Sequence, residues 1–297
     1  MKKLFTGMCC LILAIGGWAQ KHSEKINREL SFEKKSAANA LIIANINGQV
    51  NVTGYEGDKI VVEVEKVIMA KTDERLERGK SEIQLGIVDL ADTLILYVDG
   101  LCGGFGRTDG KRNWSRVSGG WGYNWNNECN NREGRQDYEY RMNFTVKVPA
   151  SLNLSVSTIN NGDVQVQNVR GAVHANNING AIKLSKLAGK TEAHTINGDV
   201  DLDYVDNPRS DCRYYSLNGD INAFFRKGLA ANVSFESFNG DLYTNIDQLV
   251  AMPTELEKKE TSKGMKYKIG GMRYQVGSGG VRLDFETFNG NVYLKEN

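Results

Sequence analysis

The chain has 297 residues, with 37 lysines and arginines against 36 aspartates and glutamates. That balance excludes a nucleic-acid protein held by phosphate contacts, which would carry a basic excess. Three prolines and 32 glycines, many of them in Asn-Gly pairs, point to turns made by left-handed backbone rather than to Pro-rich linkers.

Residues 1–19 read as a secretory signal peptide. Lys2 and Lys3 precede an apolar run from Leu4 to Trp18, and Gly17-Trp18-Ala19 supplies a small-x-small cleavage site. The run is too short to span a bilayer comfortably. An exported chain is expected, in the periplasm, on the outer surface or secreted. Cys9 and Cys10 lie inside the apolar run rather than at its end, so no lipid anchor is expected.

Residues 20–40 form a polar, poorly ordered lead-in. The N-terminal β region, 41–150, opens with a strand at Leu41-Ile42-Ile43-Ala44. An alternating strand follows at Lys59 to Val67, since period-two alternation buries one face of a strand. Thr72 to Ser81 reads as the one short helix, capped by Thr72 or Asp73. Strands near Ile83–Val88, Thr93–Val98 and Tyr138–Val148 complete the region.

The segment 100–137 is a Trp/Gly-rich loop, and loops this long are commonly functional. Trp114, Trp121, Trp125, Tyr123 and Arg116 are its candidate binding residues, because aromatic faces stack on sugars or partners and Arg accompanies them at interfaces. The alternative is that its tryptophans fold back as a satellite core. Cys102 and Cys129 are a candidate disulfide closing this loop, which leaves Cys212 unpaired.

Residues 151–297 carry a repeat. Its turns are Asn161-Gly162, Asn179-Gly180, Asn197-Gly198, Asn218-Gly219, Asn239-Gly240 and Asn289-Gly290, spaced 18 to 21 residues apart from Gly162 to Gly240, and the same turn occurs earlier at Asn47-Gly48. A fixed period near twenty signals a repeat architecture. Asn-Gly between alternating strands also suits an antiparallel hairpin meander. A meander does not require the same phrase at every period, whereas stacked windings do. The expected fold is all-β, a parallel β-helix-like solenoid. The apolar residue before Asn and the one after Gly-x should form core columns, and the asparagines should form a hydrogen-bonded ladder. Residues 243–280 interrupt the repeat, with Thr254 to Lys263 polar and possible as a helix.

The phrase Ala44-Asn45-Ile46-Asn47-Gly48-Gln49-Val50-Asn51-Val52, the helix-then-strand insertion and the serial Asn-Gly-Asp-Val units resemble the adhesin families of bacterial envelope proteins, auto-transporter adhesin heads among them. The resemblance spans about Leu41 to Leu294. It implies a β-solenoid, export and an adhesive or envelope-structural role, and it transfers no catalytic residues.

Signs of chemistry are sparse. His174, His194 and Glu192 fall short of a convergent metal set, and no cofactor is expected. Asp163, Asp199, Asp220 and Asp241 share one frame position; a calcium-binding acidic row competes there with ordinary solvated turns. The expected function is a non-catalytic module that binds glycan or an envelope or extracellular protein. The alternatives are a polysaccharide-cleaving β-helix enzyme, which needs paired carboxylates, and an envelope-stress or signalling accessory.

Overall fold

The computed structural model describes residues 20–100, 136–254, 256–261 and 264–297, and the short strands Gly104–Phe105, Arg107–Thr108, Lys111–Arg112 and Trp125–Asn126. The signal-peptide reading and Cys102, Cys129, Trp114, Arg116, Trp121 and Tyr123 lie outside the described residues. Trp125 enters only through its backbone, paired with Phe105.

Seven windings share one plan: an entry strand, the Asn-Gly turn, an exit strand and a loop. In sequence order they are Ala40–Ala44 with Val50–Tyr55, Asn153–Thr158 with Val164–Gln167, and Val173–Asn177 with Ile182–Leu187. Then come Thr191–Asn197 with Val200–Tyr204, Cys212–Asn218 with Ile221–Phe225, Ala231–Asn239 with Leu242–Thr244, and Val281–Asn289 with Val292–Glu296. Entry strands build an eleven-stranded sheet and exit strands a ten-stranded one. Neighbouring windings pair in parallel throughout, so the structure is a solenoid and not a meander.

The core lies between the sheets. On the exit side Val50, Val164, Ile182, Val200, Ile221 and Val292 stack in one buried column. These are the residues after Gly-x, as expected. On the entry side Ala175 and Ala193 give way to Tyr214, Phe285 and Phe235. The larger rings meet aromatic partners, with Tyr204 stacked on Phe225 at 5.0 Å and its hydroxyl 2.8 Å from that of Tyr214. Burial drives both phenolic pKa values well above their usual range. Cys212, a buried free thiol, accepts from the Thr191 amide at 3.3 Å.

Sequence order and spatial order part at the seventh winding. Val281–Asn289 pairs with Cys212–Asn218 on one side and Ala231–Asn239 on the other. The seventh winding therefore sits between the fifth and sixth. The expectation of consecutive stacking fails there, because Phe288 comes between Leu217 and Phe238.

Four further expectations are corrected. The lead-in is an eleven-residue edge strand, Gln20–Leu30, paired antiparallel with Ile60–Ala70 along its whole length. It is fastened by Lys66, only 2% exposed, which binds Glu24 at 2.9 Å and the Lys80 carbonyl at 3.0 Å. That bond holds the Glu24 carboxyl below its usual pKa. Second, within the segment 254–263 read as helical, Leu256–Thr261 is a strand paired antiparallel with Gly264–Ile269. Third, the asparagine in register in the second winding is Asn160, bridged to Asn47, while Asn161 is an extra left-handed residue at φ 60°. Fourth, the apolar residue before Asn faces outward: Ile178, Ile196 and Leu217 are only half-buried. The buried position is one residue earlier, at Thr195, Ser216 and Thr287.

The glycines also have a different cause from the one expected. Among the turn glycines, Gly48 alone lies well inside the positive-φ range, at 121°. A methyl group at Gly180, Gly198, Gly219, Gly290 or Gly240 would instead collide with the carbonyl of the turn glycine in the adjacent winding. Glycine is needed for close approach between windings. Each buried hydroxyl then serves such a carbonyl: Thr195 donates to Gly180 O at 2.9 Å and Ser216 to Gly198 O at 2.8 Å.

At the other end, residues 56–100 and 136–152 cap the stack. Tyr138–Pro149 lies parallel to Val50–Tyr55 and antiparallel to Ile60–Ala70, while Gln84–Asp89 and Thr93–Asp99 extend the entry sheet. The helix Asp73–Glu82, capped by Thr72 accepting from the Arg75 amide, packs on these strands with Gly79 against Ile68 and Tyr138.

Candidate functional site: the outer ladders and their aromatic corner

Stacking windings repeat each outward residue about 4.8 Å from its counterpart, so the surface consists of ladders. The asparagine ladder is continuous. Asn179 donates to Asn160, Asn197 to Asn179, Asn218 to Asn197, Asn289 to Asn218 and Asn239 to Asn289, each at 2.8 to 2.9 Å. The seventh winding's place is thus recorded in the ladder itself.

The aspartate row serves backbone amides. Asp163 accepts from Ala181 N at 3.0 Å, Asp199 from Asp220 N at 2.9 Å and Asp220 from Asn291 N at 2.7 Å. Asn291 in turn accepts from Asp241 N at 3.1 Å. Ala181 and Asn291 interrupt the carboxylates, and no group of three or more metal-ligating side chains occurs among the described residues. His174 and His194 share the outer entry face but sit one row apart, with rings 6.1 Å from centre to centre. Burial, then the charges of His174 and Arg213, lowers the His194 pKa. Glu192 is lowered chiefly by its hydrogen bond from Lys190.

Two shallow hollows are described. One, of about 320 Å³, holds Glu24 beside Lys25, Arg28 and Gln84; the other, of about 180 Å³, holds Glu139 beside Tyr140 and Arg141. Burial pushes the Tyr140 hydroxyl up to about 12, against a hydrogen bond with Asn47 that lowers it. Neither hollow brings two carboxylates together.

The exposed apolar surface gathers at the far end of the stack. In the column before Asn, isoleucine and leucine give way to Phe288 and Phe238, which are 45% and 73% exposed and stack at 4.8 Å with planes 4° apart. Across the turn, on the exit sheet, Tyr293 stacks on Tyr243 at 5.2 Å. Lys295 lies over Tyr293 and Phe224 at 5.5 and 5.8 Å. Exposed Val250 and Met272 lie on the adjoining strands. Sequence reasoning missed this corner, although the drift from Ile to Phe in the repeated phrase was its visible signal. Of the repeat-turn asparagines, Asn179, Asn197, Asn218, Asn289 and Asn239 share one ladder with Asn160, and Asn161 lies outside it.

Residues 150–245, about a third of the chain, match the family Toastrack DUF4097. The described windings agree with such a β-solenoid-like domain. A crystal structure of a candidate cell adhesion protein from Clostridium sporogenes ATCC 15579 aligns with 93% of this chain and 100% of its own, at 10% identity and a TM-score of 0.44. That of a candidate adhesin from Bacteroides fragilis NCTC 9343 aligns with 92% of this chain and 97% of its own, at 14% identity and a TM-score of 0.39. Comparison with curated proteins finds no match. No helix among the described residues is long and apolar enough to cross a membrane.

Proposed function

We propose that this chain is an exported, non-catalytic module that binds glycan or an envelope or extracellular protein through the aromatic corner of its solenoid. The observation that carries the reading is the pair of stacked aromatic ladders, Phe238 on Phe288 and Tyr243 on Tyr293, held outward by the last two stacked windings. Exposed aromatic patches on a rigid frame favour recognition, because the rings give large contact area with little conformational entropy to lose. The loop residues Trp114, Trp121, Trp125, Tyr123 and Arg116 supply a second aromatic surface in this proposal.

Binding to a glycan array and to isolated envelope fractions tests it. The variant Phe238→Ser/Phe288→Ser/Tyr243→Ser should lose adsorption while its β-rich circular dichroism persists. Trp114→Ala/Trp121→Ala/Trp125→Ala should weaken adsorption in the same assay. Undiminished adsorption of the corner variant, or new reducing ends released from a polysaccharide, would overturn the reading.

A further inference from the structure

The Asn-Gly turns of the solenoid differ in what holds them. Inside the stack, turn glycines send their amides to the following winding: Gly48 N to Asn160 O at 2.9 Å, Gly198 N to Asn218 O at 3.1 Å, and Gly219 N to Asn289 O and Gly290 N to Asn239 O, both at 3.0 Å. Asn179 is bridged to Asn197. Each interior asparagine Oδ1 also accepts from the next rung, ending with Asn289, which accepts from Asn239. The sixth winding is the last of the exit sheet, and the strand beyond its entry strand pairs only as far as Phe235. No winding lies ahead of Asn239-Gly240. Among the described residues, nothing accepts from the Gly240 amide or donates to Asn239 Oδ1, and Asn239 is exposed.

We propose that Asn239-Gly240 is a self-modifying site, where the turn asparagine deamidates; the inference does not depend on what the aromatic corner binds. Glycine has no Cβ to shield its nitrogen, so an Asn-Gly peptide can close on itself. The Gly240 nitrogen gives up its proton to solvent base and attacks Asn239 Cγ. The new C–N bond forms as the Cγ–Nδ2 bond breaks and ammonia leaves. Water then opens the cyclic imide at either carbonyl, leaving aspartate or isoaspartate, and nothing is oxidised or reduced. An interior turn such as Asn218-Gly219 must first give up its glycine amide bond and two ladder bonds, whereas Asn239 gives up only its donation to Asn289. Two more bonds to break slow the interior turns by about thirtyfold. Asn161-Gly162 stands outside the ladder, but its glycine is packed between Gly48 and Gly180, which sets it apart from the open end. The product changes the corner. A carboxylate at position 239 cannot donate, and the Asn289 amide nitrogen is committed to Asn218. The last rung is therefore lost beside the Phe238–Phe288 stack.

The test ages the full chain in mildly alkaline buffer, folded and in urea, and follows its seven Asn-Gly pairs by peptide mass spectrometry. Unfolded, the seven should convert at similar rates, because each asparagine has the same glycine neighbour. Folded, Asn239 should outpace Asn179, Asn197, Asn218 and Asn289 by about thirtyfold. Asn239→Gln, whose longer side chain closes to a larger and slower-forming ring, should remove that fast conversion and leave the four slow ones unchanged. Equal rates at Asn239 and the four interior asparagines of the folded chain would overturn the proposal. So would an interior asparagine that converts as fast in the folded chain as in urea.

Discussion

Replacing Gly198 with alanine separates the two reasons a turn can need glycine. A Cβ at this position would lie 2.5 Å from the Gly180 carbonyl carbon and closer still to its oxygen. An ordinary carbon–oxygen contact is about 3.3 Å or longer, so the two turns must part by about 1 Å. Three bonds cross that gap: Asn197 Nδ2 to Asn179 Oδ1 at 2.9 Å, Thr195 Oγ1 to Gly180 O at 2.9 Å, and Asn197 N to Ile178 O at 2.8 Å. Lengthening each by that much breaks it, and at about 1 kcal/mol apiece the loss is about 3 kcal/mol. Gly228 is the control, with φ at 83° and nothing within 4 Å of an added methyl. Alanine there meets only the left-handed penalty, about 1 kcal/mol, and asparagine should recover much of it. Urea unfolding followed by circular dichroism reads both. Equal midpoints for Gly198→Ala and Gly228→Ala, or rescue by Gly198→Asn, would show that winding contact is not the cause.

Asn218→Ala removes one donation and one acceptance in the exposed ladder, and should lower stability by about 1 kcal/mol; a drop as large as that of Gly198→Ala would contradict its exposed setting. Because the folded His194 pKa is depressed, the unfolded chain takes up this proton first as pH falls below about 6.5. Stability from this group is full above that value and declines through the window down to the folded pKa. His194→Gln should flatten that part of the urea-midpoint profile, and an NMR titration placing His194 above the ordinary range would refute the sign. Truncation after Gly280 removes the winding that joins the fifth to the sixth. Limited proteolysis should then open residues 231–276 while the first four windings stay protected, and protection through Asn239 would contradict the winding order.

How much of this was legible depends on whether neighbours in sequence are neighbours in space. Val164, Ile182, Val200 and Ile221 could be read as a column because successive windings stack and the alternation fixes which face is buried. The seventh winding could not be placed that way. Thr287-Phe288-Asn289-Gly290 shares Phe-Asn-Gly with the phrase at Ser237 and only Asn-Gly with that at Ser216, which links it to the sixth winding but does not say on which side of that winding it stacks. Gln20–Leu30 carries little apolar alternation because it is an edge strand whose outer side chains meet water; its partner Ile60–Ala70 held the signal. Leu256–Thr261 reads as helical because Glu and Lys have high helix propensity, which cross-strand pairing with Gly264–Ile269 overrides. Asn160 and Asn161 are chemically identical neighbours, and only coordinates show which one joins the ladder. The corner went unread for a related reason: a phenylalanine in the repeated phrase looks like core until the phrase is known to face outward.

The winding order also governs when the corner can exist. Windings one to five can stack as each becomes available, since each adds to the one before it. The sixth, whose entry strand pairs with Met272–Val276, has no neighbouring winding until residues 281–296 enter the gap, and its Asn239 amide donates to Asn289 rather than to Asn218. Both aromatic pairs join these two windings, Phe238 with Phe288 and Tyr243 with Tyr293. Before the gap closes, each pair is two isolated rings. The stacked surface therefore forms in the same step that locks the solenoid, so a chain stalled short of Val281 presents neither aromatic pair.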